Sequence, residues 1–512
     1  MYYSLDALER AIHVQIENDH LESALHKLSD FVSTVISRPD STGVVFSCAT
    51  LDALCQKIGA KTFKDHPLFN SSTMPAYQED LVVYIASEVK NSGGHNAVIK
   101  DLITLQPKKK HIILMTDLFE RGDYQELEIY FAQLPVQLLW PSEKSFTAKL
   151  KWLQDKLLTL CPGRTFLFNH HHDSIAIAAV QPSINRELIF YHHGDHHLCL
   201  GVHLKHALHI DPHSFGFFNC RDKLKIKNNI YWPLVTLDRP YRSHETDFLA
   251  AGALKTCSSG NHLKFESPYM FSYLDLVPDI LKITGGTHVH IGPLSSQSLE
   301  IIERKMKAFN ISQDCFVHIP WVDSVWQAML DHHIDLYINS FPRVGLKATI
   351  EVLGSGTPII FHENYTSELL GGHFIGYPEA FVWRTPEQLL QHLAYLKADQ
   401  LRKESKYARE HYEKSFKMEL LSEELTKAKK DMKGFYPQPL STSSVNQLQL
   451  CLDTMQRFDE MQKRLNDLQN QFDNFQKEMY ASTSWRITAP LRTLKEKYSK
   501  CKKLLYLLIS HK

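Results

Sequence analysis

The chain has 512 residues, enough for two or three domains with cores of their own. Its 57 Lys and Arg balance its 57 Asp and Glu, so no net field draws it to nucleic acid, and a charge-driven contact must come from a local patch. The nine cysteines stand singly, with no C-x-x-C pair; this argues against a disulfide framework or a thiolate zinc site and fits a reducing cytoplasm.

The first residues mix charge into an amphipathic pattern, with Leu5, Leu8, Ile12 and Ile16 and then Leu21, Leu25, Leu28 and Val32 at helical spacing. That predicts a helical hairpin and lacks the basic start and apolar core of a signal peptide. "STGVVFSCATLDALCQKIG" predicts a short strand leading into a helix, with Thr50 or Asp52 near the cap. Residues 1–75 are read as an N-terminal helical extension. No stretch approaches the roughly 20 apolar residues that span a bilayer.

From residue 81 the rhythm becomes buried strand, loop and helix: "LVVYIASEVKNSGGHNAVIKDLI", "KKHIILMTDL", "VQLLWP", "RTFLFNHHHDSIAIAAV" and "ELIFYHHGDHH". Continuous apolar strands alternating with helices imply a parallel sheet covered on both faces. A second series begins near 247, so residues 76–245 and 246–435 are read as two α/β domains in tandem. Residues 436–446 form a linker. Over 447–480 the apolar positions from Leu448 to Met479 step by three and four, the seam of a coiled coil that would allow homo-oligomers. Three consecutive three-residue steps between Leu452 and Met461 are a local stammer.

The second domain contains "DLYINSFPRVGLKATIEVLGSGTPIIF", a strand, a loop, a short helix and another strand. A helix start after a strand presents free N–H groups and a positive dipole end to an anion. Gly345 lets a ligand approach closely, Lys347 adds charge, and Thr349 adds a hydroxyl donor, a set suited to a diphosphate. Glu351, about one turn in, is placed to accept from a sugar's vicinal hydroxyls. The plainer reading is an ordinary strand-to-helix turn with a surface glutamate.

This segment, with its Gly356-Thr357-Pro358 turn, resembles the donor-binding motif of GT-B glycosyltransferases, and the resemblance spans roughly residues 80 to 430. "IASEVKNSGGHNAVI" is similar to the glycine loop after the first strand of the acceptor half, which places Gly93, Gly94 and His95 on the acceptor side. Many retaining members carry a Glu eight positions before the helix Glu; here that position is Arg343. The resemblance implies an α/β, GT-B fold of two Rossmann-like domains facing a cleft. It also implies a nucleotide sugar as co-substrate, with no other cofactor and no metal. In "TCSSGNHLKF" it makes Lys264 a second phosphate ligand, bracketing the leaving diphosphate with Lys347.

"FLFNHHHDS" and "IFYHHGDHH" follow apolar strands, where open α/β sheets place ligands. Imidazoles and carboxylates are metal ligands, but adjacent histidines rarely point at one ion and neither H-x-x-E-H nor H-E-x-x-H is present, so no metal site is expected. The favoured reading sets Asp195 and His193 as base or sugar-holding groups, with His172 and Asp173 behind them. Solvated loop histidines are the alternative.

The ending "SWRITAPLR" resembles a terminal signature found after coiled coils in bacterial surface-polysaccharide glycosyltransferases. Beyond Pro490, Leu491, Leu494, Tyr498, Cys501, Leu505 and Leu508 form one stripe against a lysine-rich remainder. Residues 485–512 are therefore read as a basic amphipathic tail for an anionic membrane surface, and the alternative is packing on a partner. The expected protein is a cytoplasmic glycosyltransferase, peripheral on the inner face of the membrane through this tail. It would add a sugar to a lipid-linked or surface glycan of the lipopolysaccharide O-antigen or capsule type. Glycosylation of a protein adhesin, or a catalytically inactive scaffold in a glycan-assembly complex, are the alternatives.

Overall fold

The computed structural model describes residues 4–38, 41–64, 66, 76–89, 94–120, 124–184, 186–242, 248–365, 367–437, 448–483 and 487. Gly93, most of the predicted linker and nearly all of the predicted tail lie outside the described residues. The chain divides into two units, Met1–Leu448 and Gln449–Lys512.

In the first unit, strands β1 (Gln78–Ala86), β2 (Lys110–Met115), β3 (Val136–Leu139), β4 (Pro162–Phe168), β5 (Leu188–Tyr191), β6 (Leu208–Asp211) and β7 (Asn229–Tyr231) form one parallel sheet in the order β3-β2-β1-β4-β5-β6-β7. Strands β8 (Lys255–Ser259), β9 (Thr287–Ile291), β10 (Phe316–Ile319), β11 (Leu336–Ile338), β12 (Ile359–His362) and β13 (Val382–Trp383) form a second, in the order β10-β9-β8-β11-β12-β13. Both orders reverse direction beside their first strand, and ligands of such sheets bind beyond the carboxyl ends of the strands at that switch. The central strands explain the predicted pattern: Leu81 to Ala86 are all buried, as a strand with helices on both faces requires.

The N-terminal helices Leu5–Glu17, Leu21–Ile36 and Ala49–Lys64 pack on the first domain. A Cβ on Gly59 would stand 1.7 Å from the carbonyl oxygen of Ala178, so only glycine allows the approach of Ala49–Lys64 to the helix Ser174–Ala179. Gln56 Nε2 donates to the Ile177 and Val180 carbonyls at 2.6 and 3.2 Å. The strand predicted before this helix does not form: Val45 and Phe46 are buried without joining a ladder. Nor does Asp52 cap the helix; its carboxylate accepts from the backbone N–H groups of Gly201 and His203 at 2.6 and 2.8 Å. Burial pushes its pKa up to about 7 against those two hydrogen bonds.

The chain crosses between the sheets twice, and the crossings lie side by side. Thr236, on the outward path, donates its N–H to Phe416 O at 2.9 Å and accepts from Met418 N at 3.1 Å on the return. Beyond the helix Ala398–Ser415 the return segment rejoins the first domain, where Arg164 donates to Leu425 O at 2.7 Å and to Lys427 O at 2.5 Å. Residues 416–435, predicted in the second domain, thus pack on the first sheet; Phe435 N donates to Tyr231 O at 2.8 Å.

In the second unit the predicted heptad region is one helix, Leu448–Ala481. Its seam residues Met461, Leu465 and Leu468 are 60–68% exposed, an apolar stripe left open to solvent. No described helix is long and apolar enough to cross a membrane.

Candidate active site

Within the first unit a cleft of about 1370 Å³ opens between the carboxyl ends of the two sheets. Gly94, Tyr191, His193, Asp195 and His213 line it from the first domain; Lys264, Arg343, Gly345, Lys347 and Glu351 line it from the second.

On the second-domain side, Gly345 is the N-cap of the helix Leu346–Gly354 and no side chain caps it. The first N–H groups of this helix therefore face the cleft without a side-chain acceptor. A Cβ at Gly345 would lie 2.7 Å from Lys264 Nζ, so the missing side chain is what seats the ammonium against the helix start. Lys264 is half-buried, and desolvation lowers its pKa to about 8. Among the described residues neither Lys264 nor Arg343 makes a side-chain hydrogen bond or ion pair.

Lys347 behaves differently from its predicted role. Its Nζ pairs with Asp101 at 2.6 Å and also donates to Val235 O, so it is engaged across the cleft with the helix Gly94–Thr104 of the first domain. Burial raises the Asp101 pKa, and the adjacent lysine only partly offsets it. The predicted pairing of Lys264 with Lys347 is therefore not seen: Lys347 is engaged with Asp101, while Lys264 and Arg343 flank Gly345 without such a partner among the described residues. Thr349 also departs from expectation: it is fully buried, donates to Gly345 O at 2.7 Å and accepts from Asn339 Nδ2 at 3.0 Å, which staples the helix to the end of β11. Glu351 lines the cleft while its Oε2 accepts from Trp326 N at 3.1 Å and Ser324 Oγ at 3.3 Å, holding the start of the helix Val325–Asp331.

On the first-domain side, Asp195 is 1% exposed and its Oδ2 lies 2.7 Å from His213 Nδ1. Burial works to raise the Asp195 pKa, but His213, His196 and His192 outweigh it and hold the carboxyl well below the usual range. An ionised carboxylate only accepts, so His213 carries its proton on Nδ1. His213 was not singled out in the sequence. It follows the short strand β6, and its partner is 18 residues away across a chain turn. His193 is half-buried at the rim, stacked on Phe168 at 6.3 Å.

Of the residues placed behind them, Asp173 is not in the cleft. It is fully buried as the N-cap of Ser174–Ala179, accepting from Ala176 N at 2.9 Å, Ser87 Oγ at 2.5 Å and Thr116 Oγ1 at 2.7 Å. Its short side chain satisfies a helix start and two buried hydroxyls, and leaves nothing for a ligand. His172 likewise lies outside the cleft lining; its Nδ1 meets His170 Nδ1 at 3.0 Å. Gly94 opens the helix Gly94–Thr104 at the cleft edge, and His95 lies in its first turn.

No family model matches the sequence, and no curated protein matches it. Solved structures do. A glycosyltransferase from Rickettsia africae ESF-5 superposes with a TM-score of 0.54 at 11% identity, covering 70% of this chain and 99% of that one. Anabaena Alr3699/HepE in complex with UDP and glucose gives 0.49 at 11% identity, covering 68% and 98%. WaaG, a glycosyltransferase involved in lipopolysaccharide biosynthesis, gives 0.46 at 11% identity, covering 68% and 100%. With two parallel sheets of matching topology facing one cleft, the chain has the GT-B fold.

Proposed function

We propose that the protein is a nucleotide-sugar-dependent glycosyltransferase that moves a hexose from a nucleoside diphosphate to a cell-surface glycan of the lipopolysaccharide O-antigen or capsule type, on a lipid-linked acceptor. The observation that carries this reading is Lys264: a half-buried ammonium without an anion, set by Gly345 against an uncapped helix start. A desolvated cation there gains most from a ligand that brings two or more negative charges. Arg343 enters the same space from the other end of the loop. Bond cleavage at the sugar builds charge on the departing diphosphate, and these fixed donors stabilise that charge without reorganising. The GT-B fold, shared with the Rickettsia glycosyltransferase, supports this reading.

The acceptor hydroxyl loses a proton during transfer. In its neutral form, with Nδ1–H donated in a hydrogen bond to Asp195, His213 has a lone pair on Nε2 to receive it. Asp195 is then a positioning residue: it fixes the tautomer and stabilises the imidazolium that forms. Asp101 and Lys347 hold the two domains across the cleft, which excludes water from the reacting atoms. The C-terminal helix serves as a coiled coil and the basic tail as the anchor on an anionic inner membrane face.

The test is turnover of a nucleotide-sugar panel by the purified chain. A donor that wild type hydrolyses or transfers, with Lys264→Ala reduced about 10²–10³-fold, supports the reading. Wild type that neither binds nor turns over any donor overturns it, and leaves the scaffold reading. Truncation after residue 480 is expected to leave donor hydrolysis intact and to abolish the salt-sensitive binding to anionic liposomes.

A further inference from the structure

Below the first-domain face of the cleft, four side chains that bear metal-ligating atoms converge away from solvent: His192 at the end of β5, His209 and Asp211 on β6, and Cys220 in the π-helical turn Asn219–Lys223. All four are at most 2% exposed. His192 Nδ1 and His209 Nε2 are 3.2 Å apart and lie 3.1 and 3.0 Å from the same oxygen, Asp211 Oδ1. Cys220 Sγ is 3.5 Å from His192 Nδ1, and all four ligand atoms fall within 4.8 Å of one another.

A tetrahedral zinc with bonds near 2.0–2.1 Å to nitrogen or oxygen and 2.3 Å to sulfur requires ligand separations of about 3.3 Å between nitrogen or oxygen atoms and about 3.6 Å from nitrogen to sulfur. Four of the six separations lie within a few tenths of an ångström of those values, and the other two are no more than 4.8 Å. Charge gives the same answer. Among the described residues, the hydrogen-bond partners of Asp211 are His192, His209, Asn229 and the Cys220 thiol, with no lysine or arginine. A fully buried carboxylate with only imidazoles, a thiol and an amide around it suits a cation, and one divalent ion would neutralise the carboxylate and a thiolate together. The outer arrangement is also present: Asn229 Nδ2 donates to Asp211 Oδ2 at 2.8 Å and to Phe217 O at 3.0 Å, fixing the carboxylate so that Oδ1 faces the cluster. A π-helical turn, rare in proteins and frequent at functional positions, is what brings Cys220 round to the others.

We propose that His192, His209, Asp211 and Cys220 bind a structural zinc ion. Mixed imidazole, thiolate and carboxylate ligation in a tetrahedron selects zinc over magnesium or calcium, which take oxygen ligands. Four protein ligands leave no open position, so the ion organises the fold and takes no substrate. Its place gives it a purpose. His192 precedes His193 directly and Asp195 by three residues, and Asp211 precedes His213 by two. The ion therefore ties together the strand ends from which the Asp195–His213 pair rises into the cleft.

The full-length chain, expressed in zinc-supplemented medium and purified without chelator, should hold about one zinc per chain by elemental analysis. Cys220→Ser and His209→Gln should lose most of it. Asn229→Ala keeps all four ligands and should bind zinc about 10–100-fold more weakly in competition with a chromogenic chelator. Cobalt-exchanged wild type should show tetrahedral d–d absorption with a sulfur-to-metal charge-transfer band that Cys220→Ser abolishes. Wild type that carries no zinc, takes none up, and melts at the same temperature with zinc or with chelator overturns the proposal. So does zinc retained in full by both ligand variants.

Discussion

The two sheet edges that face the cleft are built on opposite terms. On the first domain the buried carboxylates at and behind the strand ends already have partners: Asp173 serves Ser87, Thr116 and a helix start, Asp52 serves Gly201 and His203, and Asp195 serves His213. On the second, Lys264 and Arg343 stand unengaged beside an uncapped helix. A satisfied network stabilises the fold and fixes geometry, while an unsatisfied cation costs stability until a ligand arrives. In the function proposed, the first edge is thus framework that presents one imidazole, and the second is a receptor for an anion.

That contrast can be broken by measurement, because substitutions on the first edge should cost stability and those on the second should cost ligand. The largest effect belongs to Asp52. Its folded pKa is raised to about 7, so the neutral form contributes stability fully below the unfolded carboxylate pKa, and that contribution is lost as pH rises through about 7. Between about pH 4 and pH 8, wild type should lose up to about 4 kcal/mol that Asp52→Asn does not lose. The variant forfeits one accepted hydrogen bond at every pH, so urea denaturation is compared by slope rather than level. Asp173→Ala should come next, destabilising by about 3 kcal/mol through a lost cap and two orphaned buried hydroxyls. A cost below 0.5 kcal/mol would mean that this edge is not framework.

Lys264→Ala should reverse the signature, with donor turnover down about 10²-fold or more and the melting temperature unchanged or higher. If instead it melts lower and turns over donor normally, the receptor reading of that edge fails. The smallest effect is expected for the Lys347–Asp101 pair, where a double-mutant cycle of Lys347→Met and Asp101→Asn should give a coupling of about 1–2 kcal/mol. Because this pair bridges the domains, its loss should show in the domain separation seen by small-angle scattering more than in turnover. A turnover loss for Lys347→Met as large as that for Lys264→Ala would restore Lys347 as a donor ligand.

The sequence made the two parallel sheets legible wherever a strand was long and apolar, as in "LVVYIA" and "RTFLF". It did not reveal β6 or β7, which are short; β6 carries His209 and Asp211 inward, and burial of paired polar groups leaves no hydrophobic run to read. The helix start at Gly345 and the cation at Lys264 were legible because backbone chemistry dictates them locally. The engagement of Lys347 was not, since Asp101 lies 246 residues away and only the fold brings it near. The same distance problem hid the cysteine: Cys220 looked solitary because its companions are histidines and an aspartate on other strands.

The paired crossings at Thr236 and Phe416 to Met418 have a mechanical consequence. A single connecting strand would leave one domain free to swivel about it. Two strands bonded edge to edge form a strap that folds along its width and resists torsion. Torsion about the crossings would stretch both hydrogen bonds, whereas hinge bending across them leaves both in place, so this pairing favours hinge opening over swivelling.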